Sequence, residues 1–544
     1  MKLVSTAEMI AVEKEADANG LSYSEMMENA GRGLAETIND RYSSLKSAGI
    51  LGLVGSGNNG GDTLVALALL SDWGWKATAY IVRPRPENDP LMERLESSGG
   101  DIMDSAEDKK YKLLKTSLAE HGILMDGILG TGIKLPLRGT IKEVLEISKK
   151  TLNRLLLKPI IVAVDCPSGV DSDTGEASPD CLAADLTVTM AAIKRGLLEF
   201  PANDLLGEVI LVGIGLAEED KRSKTWRGIK RNVVDAEFVR STLPERKRDA
   251  HKGTFGTAFI ISGSVNYTGA VLLSGKAAYR AGAGLVTLGV PSPLHNTLAG
   301  HIPEATWVLL PHEMGVLADS AADVVYENLG KTSAMLLGPG FGLEDATKNF
   351  MENLFSPRVP GGKSGIGFVT TAREAAAGEK PELPPLVIDA DGLKLLAKIP
   401  EWQQILPGQA ILTPHPGEMA ELTGQKVSDI QAERVAIAEK YAKEWGHIVV
   451  LKGANTVIAD PAGRTSVIPV ASAALSSAGS GDVLAGIIVG LLAQGMESYE
   501  SAVSGAWIHA QSGLKSAEYL GTDRSVIAGD LISSMVDVLQ ELDN

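Results

Sequence analysis

Cysteine is scarce: Cys166 and Cys181 are the only two in 544 residues. Two thiols make neither a disulfide framework nor a cysteine metal cluster, and they suit a reducing cytosol. Long apolar runs are missing too. The longest, VLAGIIVGLLAQG at 483–495, falls short of the roughly 20 residues that a membrane span needs. The opening MKLVSTAEMIAVEKEAD carries acids throughout and no extended apolar stretch, so no signal peptide is expected. Positive charge is in deficit, with a formal net charge of −17. An acidic surface repels a nucleic-acid backbone. The expectation is a cytoplasmic protein with no nucleic-acid and no membrane partner. Phosphate binding stays open, because backbone N–H groups in one loop hold an anion even on an acidic protein.

What is present is glycine, 59 residues, and enough apolar residues, 44%, for sizeable cores. The length predicts more than one domain. Ser5 with Glu8, and Ser22 with Glu25, read as capping boxes that open helices. SAGILGLVGSGNNGGD (47–62) reads as a buried strand, a Gly-rich loop and a helix start. KATAYIVRP, ILMDGILGTG and PIIVAVDCPSGVD read as further strands, followed by ADLTVTM and GEVILVGIG. Strands alternating with helices predict a doubly wound parallel α/β sheet. The basic, polar stretch KRSKTWRGIKRN at 221–232 breaks this pattern and reads as a linker. A second α/β series then begins, placing one domain at 1–220, a linker at 221–234 and another domain at 235–544. Residues 356–385, rich in Pro, Gly and Lys, read as an exposed loop.

In the first half, Gly55, Gly57 and Gly60 have the spacing of a dinucleotide fingerprint. That fingerprint wants an acid at the end of the second strand. Here the strand ends at Val82, Arg83 and Pro84, which argues against an ordinary dehydrogenase. Asn58, Asn59, Gly60, Gly61 and Asp62 offer amide and carboxylate oxygens for a hard cation, and loop N–H groups for a phosphate. The same run also fits a plain Asn-Gly turn. Asp126 and Asp165 end neighbouring strands, so three loops aim at one crevice, although each acid alone also fits a turn or a helix cap.

VGSGNNGGD, DGILGTG and VDCPSGVDSDTGE together resemble the NAD(P)H-hydrate epimerase domain over roughly residues 1–215. The resemblance implies a Rossmann-like three-layer sandwich. It implies that Asn58, Asn59, Gly60, Gly61 and Asp62, with Gly130, Thr131, Gly132, Ile133, Lys134, Leu135 and Pro136, bind the nicotinamide hydrate. It implies further that Asn59, Asp126 and Ser168 hold K⁺, and that Asp165 touches the reacting ring. Thr63 stands where the family usually has Gly, and a β-branched side chain there is expected to narrow the loop. A carboxylate beside the ring serves to shuttle a proton and to stabilise a cationic ring; Asp165 is the residue assigned to that task.

In the second half, AGSGD (478–482) opens an apolar helix, where N-terminal N–H groups suit a transferring phosphoryl group and Asp482 suits a base. A plain Gly-Asp helix cap remains the alternative. Lys452, Gly453, Ala454, Asn455 and Thr456 offer a cation, backbone donors and a hydroxyl for nucleotide phosphates, or else form a hairpin turn. His415 is held between prolines. Asp389 and Asp391 end a strand and fit simple turn formers.

HKGTFG, ISGSVNYTGA, GPGFG, VIDADGL, TPHPGE, LKGANT and AGSGDVLAGII resemble the ribokinase-like superfamily and, within it, the ADP-dependent NAD(P)H-hydrate dehydratases, over roughly 235–544. The resemblance implies that Ala270, Gly340, His415 and Asp482 contact the hydrate. Residues Lys452 to Thr456 and Gly481 are implied to contact the nucleotide. Thr456 fits the ADP-using pattern, with ATP as the alternative, and Mg²⁺ is implied as the accompanying ion. Ser477 keeps a hydroxyl where many relatives have Thr. The expected substrates are therefore NADHX, NADPHX and ADP, handled by a homo-oligomer. Two other readings stay open: a small-alcohol kinase fused to a Rossmann-like binding domain, and a non-catalytic scaffold of the kind found in RNA metabolism.

Overall fold

The computed structural model describes residues 1–217, 219–355 and 382–544; the loop expected at 356–385 lies, as far as 381, outside the described residues. The chain divides into two compact units, Met1–Val233 and Val234–Asn544.

The first unit is built on seven parallel strands: β1 (Ile50–Val54), β2 (Ala77–Ile81), β3 (Asp101–Asp104), β4 (Ile123–Gly127), β5 (Ile160–Val164), β6 (Leu186–Met190) and β7 (Glu208–Val212). Their spatial order is β3-β2-β1-β4-β5-β6-β7. The chain thus runs outward from β1 in one direction, returns, and runs outward in the other. β1 and β4 are buried along their whole length, as strands covered on both faces must be. Ile50, Val54 and Met125 pack with Leu34 and Val65 on one face. Leu51, Leu53 and Leu124 pack with Leu118, Val144 and Leu145 on the other. This is the doubly wound parallel sheet that the first-half pattern predicts, and the three-layer sandwich that its resemblance implies. The reversal between β1 and β4 opens a crevice at their carboxyl ends, where ligands bind in such sheets.

Both expected capping boxes form. The Ser5 hydroxyl caps the helix α1 (Thr6–Ala18), and the Ser22 hydroxyl caps α2 (Tyr23–Tyr42), each with reciprocal bonding by Glu8 or Glu25. The Asn-Asn-Gly-Gly-Asp run differs from the expected loop: it is the first turn of α3 (Asn58–Asp72). Part of the segment read as a linker is also folded. Lys224–Gly228 is a short helix with Trp226 buried, and Glu15 accepts bonds from Ser223 and Thr225. Its tryptophan and its hydroxyls outweigh the basic residues around them.

The second unit carries β8 (Thr257–Ile261), β9 (Leu285–Pro291), β10 (Thr306–Leu310), β11 (Ala334–Leu337), β12 (Leu386–Ile388), β13 (Ile411–Leu412), β14 (Ile448–Leu451), β15 (Val457–Ala459) and β16 (Thr465–Val467). Their order is β16-β15-β14-β13-β12-β11-β8-β9-β10. Pairing is parallel from β14 to β10 and antiparallel across β14, β15 and β16. The longest apolar run of the sequence becomes α5 (Ser480–Ala493), buried in the core against α4 (Gly269–Arg280). Gly486 permits this contact, since a Cβ there would lie 2.4 Å from the Ser274 carbonyl oxygen. Among the described residues no helix is long and apolar enough to cross a membrane.

Candidate active sites

At the carboxyl ends of β1, β4 and β5 lies a cleft of about 910 Å³. Asn58, Asn59, Asp62, residues 130–136 and Asp165 line it, joined by Glu13, Arg83, Arg138 and Lys194. Asp165 follows β5 with φ of 63°. That left-handed conformation is costly for a residue with a Cβ and clusters at functional sites. Three donors converge on its Oδ1: Thr189 Oγ1 at 3.1 Å, the Met190 N–H at 3.0 Å, and the Lys194 ammonium. Its Oδ2 receives no donor among the described residues.

Lys194 is 1% exposed and also donates to the Met190 carbonyl. It sits on a two-residue strand, Ile193–Lys194, paired with Leu3–Val4 at the start of the chain. Asp62 is buried, and its carboxyl has no hydrogen-bond partner among the described residues. Burial pushes that carboxyl well above the usual carboxylate range; the charges of Asp165 and Glu13 push the same way and Lys194 opposes them. Burial also raises Glu13. The cleft floor therefore holds the Asp165–Lys194 salt bridge beside a carboxyl whose protonated form burial favours.

Asn59, Asp126 and Ser168 meet beneath the cleft. Asn59 Nδ2 donates to the Val164 and Leu129 carbonyls. The Ser168 N–H donates to Asp126 Oδ2 at 2.8 Å, and Ser168 Oγ accepts from the Leu129 N–H. Asp126 Oδ1 is buried with no partner among the described residues, so burial raises this carboxyl as well. An orphaned carboxylate oxygen beside amide, hydroxyl and carbonyl oxygens is the donor set of a hard monovalent or divalent cation.

Gly60 and Gly61 face inward: a Cβ on the first would lie 2.0 Å from the Gly55 carbonyl oxygen, and on the second 2.6 Å from the Met27 side chain. Thr63 is fully buried, donates to the Asn59 carbonyl, and packs beside Gly52 and Gly127 instead of lining the cleft. It therefore does not narrow the loop.

The second unit gathers its candidates around the start of α5. Gly479 is the N-cap, in the left-handed conformation, and no side chain caps the helix. Asp482, in the first turn, accepts no hydrogen bond among the described residues, so it is not a cap. Burial and then the charge of Asp389 raise its carboxyl to about 7, with Lys452 pulling the other way. Lys452 donates to Asp389 Oδ1 at 2.6 Å and lies 3.6 Å from Glu418 Oε2. A Cβ on Gly481 would sit 3.5 Å from Lys452 Nζ and 3.8 Å from Asp389 Oδ2, so this turn passes directly over the ion pair. Asp389 Oδ2 is buried without a partner among the described residues.

Residues Lys452 to Thr456 form the connection of the β14–β15 hairpin, yet Lys452 points inward to acids instead of out to water. Asn455 has φ of 52°, and Thr456 donates to the Gly453 carbonyl. Gly340, with φ of 67°, lies against Ala270 and Tyr267: a Cβ on it would be 3.0 Å from the Ala270 Cβ. A Cβ on Gly338 would lie 2.0 Å from the Asp389 carbonyl oxygen. The GPGFG loop thus links the Ala270 side to the Asp389 side. His415 caps the helix Pro416–Thr423, its Nδ1 accepting from the Gly417 and Glu418 N–H groups. Its ring is half exposed.

Sequence reasoning did not single out Lys194, Glu13, Glu418 or His509. His509 is buried and bonds the Ser480 hydroxyl at 2.9 Å. It sits mid-helix with no local motif. Lys194 follows a strand without any Gly or Pro mark.

Comparison with known proteins adds the following. Residues 258–535 match the family described as NAD(P)H-hydrate dehydratase, and residues 23–196 match the family described as YjeF-related protein N-terminus. A protein of Moorella thermoacetica named bifunctional NAD(P)H-hydrate repair enzyme Nnr is 34% identical over 551 residues, covering 100% of this chain and 97% of that one. The Escherichia coli (strain K12) protein of the same name is 31% identical, covering 96% and 90%. The solved structure of ADP/ATP-dependent NAD(P)H-hydrate dehydratase from Bacillus subtilis, co-crystallised with ATP/Mg²⁺, is 27% identical and covers 57% of this chain and 98% of that one, with a TM-score of 0.46.

Proposed function

The chain belongs to the family of bifunctional NAD(P)H-hydrate repair enzymes, and from that premise we propose how its two units divide the work. The first unit interconverts the two epimers of hydrated NADH or NADPH. The second removes the hydrate's oxygen from one epimer by way of a nucleotide, so the pair recovers both. The setting is the cytoplasm, in keeping with two free, buried cysteines.

The observation that carries the reading is Asp482: a carboxyl without a hydrogen-bond donor among the described residues, on the uncapped first turn of α5, beside an inward-pointing lysine. Hydroxide is a poor leaving group, and phosphate is a good one. Asp482 takes the proton of the ring hydroxyl, whose oxygen then attacks the terminal phosphoryl group of the nucleotide. The N–H groups at the start of α5 and the Lys452 ammonium stabilise the charge that develops. Phosphate then leaves with that oxygen, a proton is lost from the adjacent ring carbon to solvent, and the double bond of the dihydronicotinamide is restored. ADP is the proposed nucleotide, giving AMP and phosphate, with ATP as the alternative; Mg²⁺ enters as part of the nucleotide substrate.

In the first unit, Asp165 lies against the reacting ring, where its charge stabilises a cationic ring and its open Oδ2 accepts a proton. Asn59, Asp126 and Ser168 fit K⁺ through the orphaned Asp126 oxygen. A bound K⁺ supplies positive charge that fixes the turn beneath the cleft.

The test is direct. Both hydrate epimers are incubated with the protein, Mg²⁺ and ADP or ATP, and reduced nicotinamide is followed by its absorbance. Full conversion of both epimers with release of phosphate is expected. Accumulation of a stable phosphorylated product, or no change with either nucleotide, overturns the reading.

A further inference from the structure

The ionisable groups of the first cleft are layered by depth. Asp62, Asp165 and Lys194 are buried, whereas Arg83, Lys134 and Arg138 are exposed at its mouth. None of these three cations forms a hydrogen bond or ion pair among the described residues.

Arg83 stands out from the ordinary surface arginine. Val82, just before it, donates its N–H to the Val54 carbonyl, and Pro84 follows it. A residue fixed by a strand on one side and proline on the other has little backbone freedom. Two positions on, Arg85 has a different fate: it donates to the buried Asp89 and to the Gly55 carbonyl at 2.8 Å. Arg85 thereby fastens the turn that leads into α3, and Arg83 emerges beside that turn with its guanidinium unengaged. Ser56, Gly57 and Asn58, the exposed start of α3, line the same cleft, and no side chain caps that helix. A guanidinium and free amide N–H groups that share one cleft wall recognise phosphate. The protein's net charge of −17 opposes the approach of a dinucleotide, and a local cation offsets that opposition.

We infer that Arg83, joined by Arg138, is a binding clamp for the phosphate groups of the dinucleotide at the mouth of this cleft. This rests on the epimerase reading of the cleft. The phosphate is either the diphosphate bridge, common to both substrates, or the 2′-phosphate of NADPHX; the chemistry of recognition is the same.

The experiment compares wild type with Arg83→Ala, Arg83→Lys and Arg138→Ala, using the full chain. Initial rates of epimerisation are measured with NADHX and with NADPHX, and NADPHX binding is measured by equilibrium dialysis. Arg83 bonds nothing among the described residues, so the melting temperature stays put. For Arg83→Ala, KM rises about tenfold with kcat within twofold, Arg83→Lys recovers part of the loss, and Arg138→Ala shows a smaller rise. A rise for both substrates assigns the diphosphate; a rise for NADPHX alone assigns the 2′-phosphate. An unchanged KM for both substrates, or a loss confined to kcat, overturns the clamp. A wild type that fails to epimerise, yet binds NADPHX more tightly than Arg83→Ala does, overturns the epimerase reading and leaves the clamp standing. Equal binding by the two proteins overturns the clamp.

Discussion

The two sites share a plan and differ in which member of it the sequence marks. Each has a buried lysine bonded to an aspartate, Lys194 with Asp165 and Lys452 with Asp389. Each has a second carboxyl nearby with no hydrogen-bond donor among the described residues, Asp62 in one and Asp482 in the other. The motif residue of the first site, Asp165, is the lysine-bonded partner: three donors converge on its Oδ1, while Oδ2 has none among the described residues. The motif residue of the second, Asp482, has no donor on either oxygen among the described residues. A carboxylate at the end of a strand gathers backbone and lysine donors, while one on the first turn of an uncapped helix faces the ligand space alone. The first is suited to stabilising positive charge with one oxygen left to exchange a proton, and the second to removing a proton without such support.

The comparison breaks if the sites do not separate. Asp482→Ala is expected to abolish dehydration, a loss of about 10²–10⁴-fold, while both epimers still interconvert. Asp165→Ala is expected to stop epimerisation and leave dehydration of the one epimer that the second unit handles intact. Chiral separation of the hydrates, run beside the absorbance assay, reads both. A common loss in either variant would mean that the units do not act independently.

Removing the lysines tests the shared plan. Lys194→Met leaves Asp165 as an unpaired buried charge, which costs about 3–5 kcal/mol. Lys452→Met does the same to Asp389, but Lys452 is the more exposed lysine, 17% against 1%, so the smaller loss is expected there. Denaturant melts followed in each unit decide the order.

These contacts also show how far the sequence could be read. Ser5 with Glu8 and Ser22 with Glu25 announce their helices because a capping box is complete within four residues. Asp165 and Asp482 stand at a strand end and a helix start, positions set by local pattern. Lys194 and Glu13 are brought to the cleft by pairing with the chain start and by α1, contacts across more than a hundred residues that no window contains. Gly60 and Gly61 carry more than the sequence suggests. They read as part of a ligand loop and also let α3 approach Gly55 and Met27. His415 looks like a site histidine and is also a helix cap. Of the fold, the α/β alternation was legible throughout, while the folded segment at 224–228 was hidden by its basic residues.

The raised Asp482 carboxyl sharpens the contrast in pH. The base must be ionised, so dehydration falls tenfold per unit below a midpoint near 7, whereas an ordinary aspartate would hold activity down to about pH 4. Asp389→Asn removes a repelling charge and is expected to move the midpoint down. The epimerase profile should not share this midpoint, and a common midpoint would show that one group limits both reactions.

The smallest expected effect concerns the cation beneath the first cleft, which has no counterpart singled out in the second unit. Without a cation, burial raises Asp126, so the folded chain holds a proton that the unfolded chain releases. Stability is then greatest in acid and declines as pH rises from the ordinary carboxylate range through the raised value. A bound K⁺ favours the ionised carboxylate and reverses that decline. At neutral pH, K⁺ at about five times its dissociation constant should stabilise the first unit by about 1 kcal/mol over a bulky quaternary ammonium salt of equal ionic strength. Asp126→Asn should erase the difference, because a neutral amide neither suffers the buried charge nor attracts the ion. A K⁺ increment that survives this substitution, or that appears equally in the second unit, would mean that the ion acts through the general surface charge and not at this carboxylate.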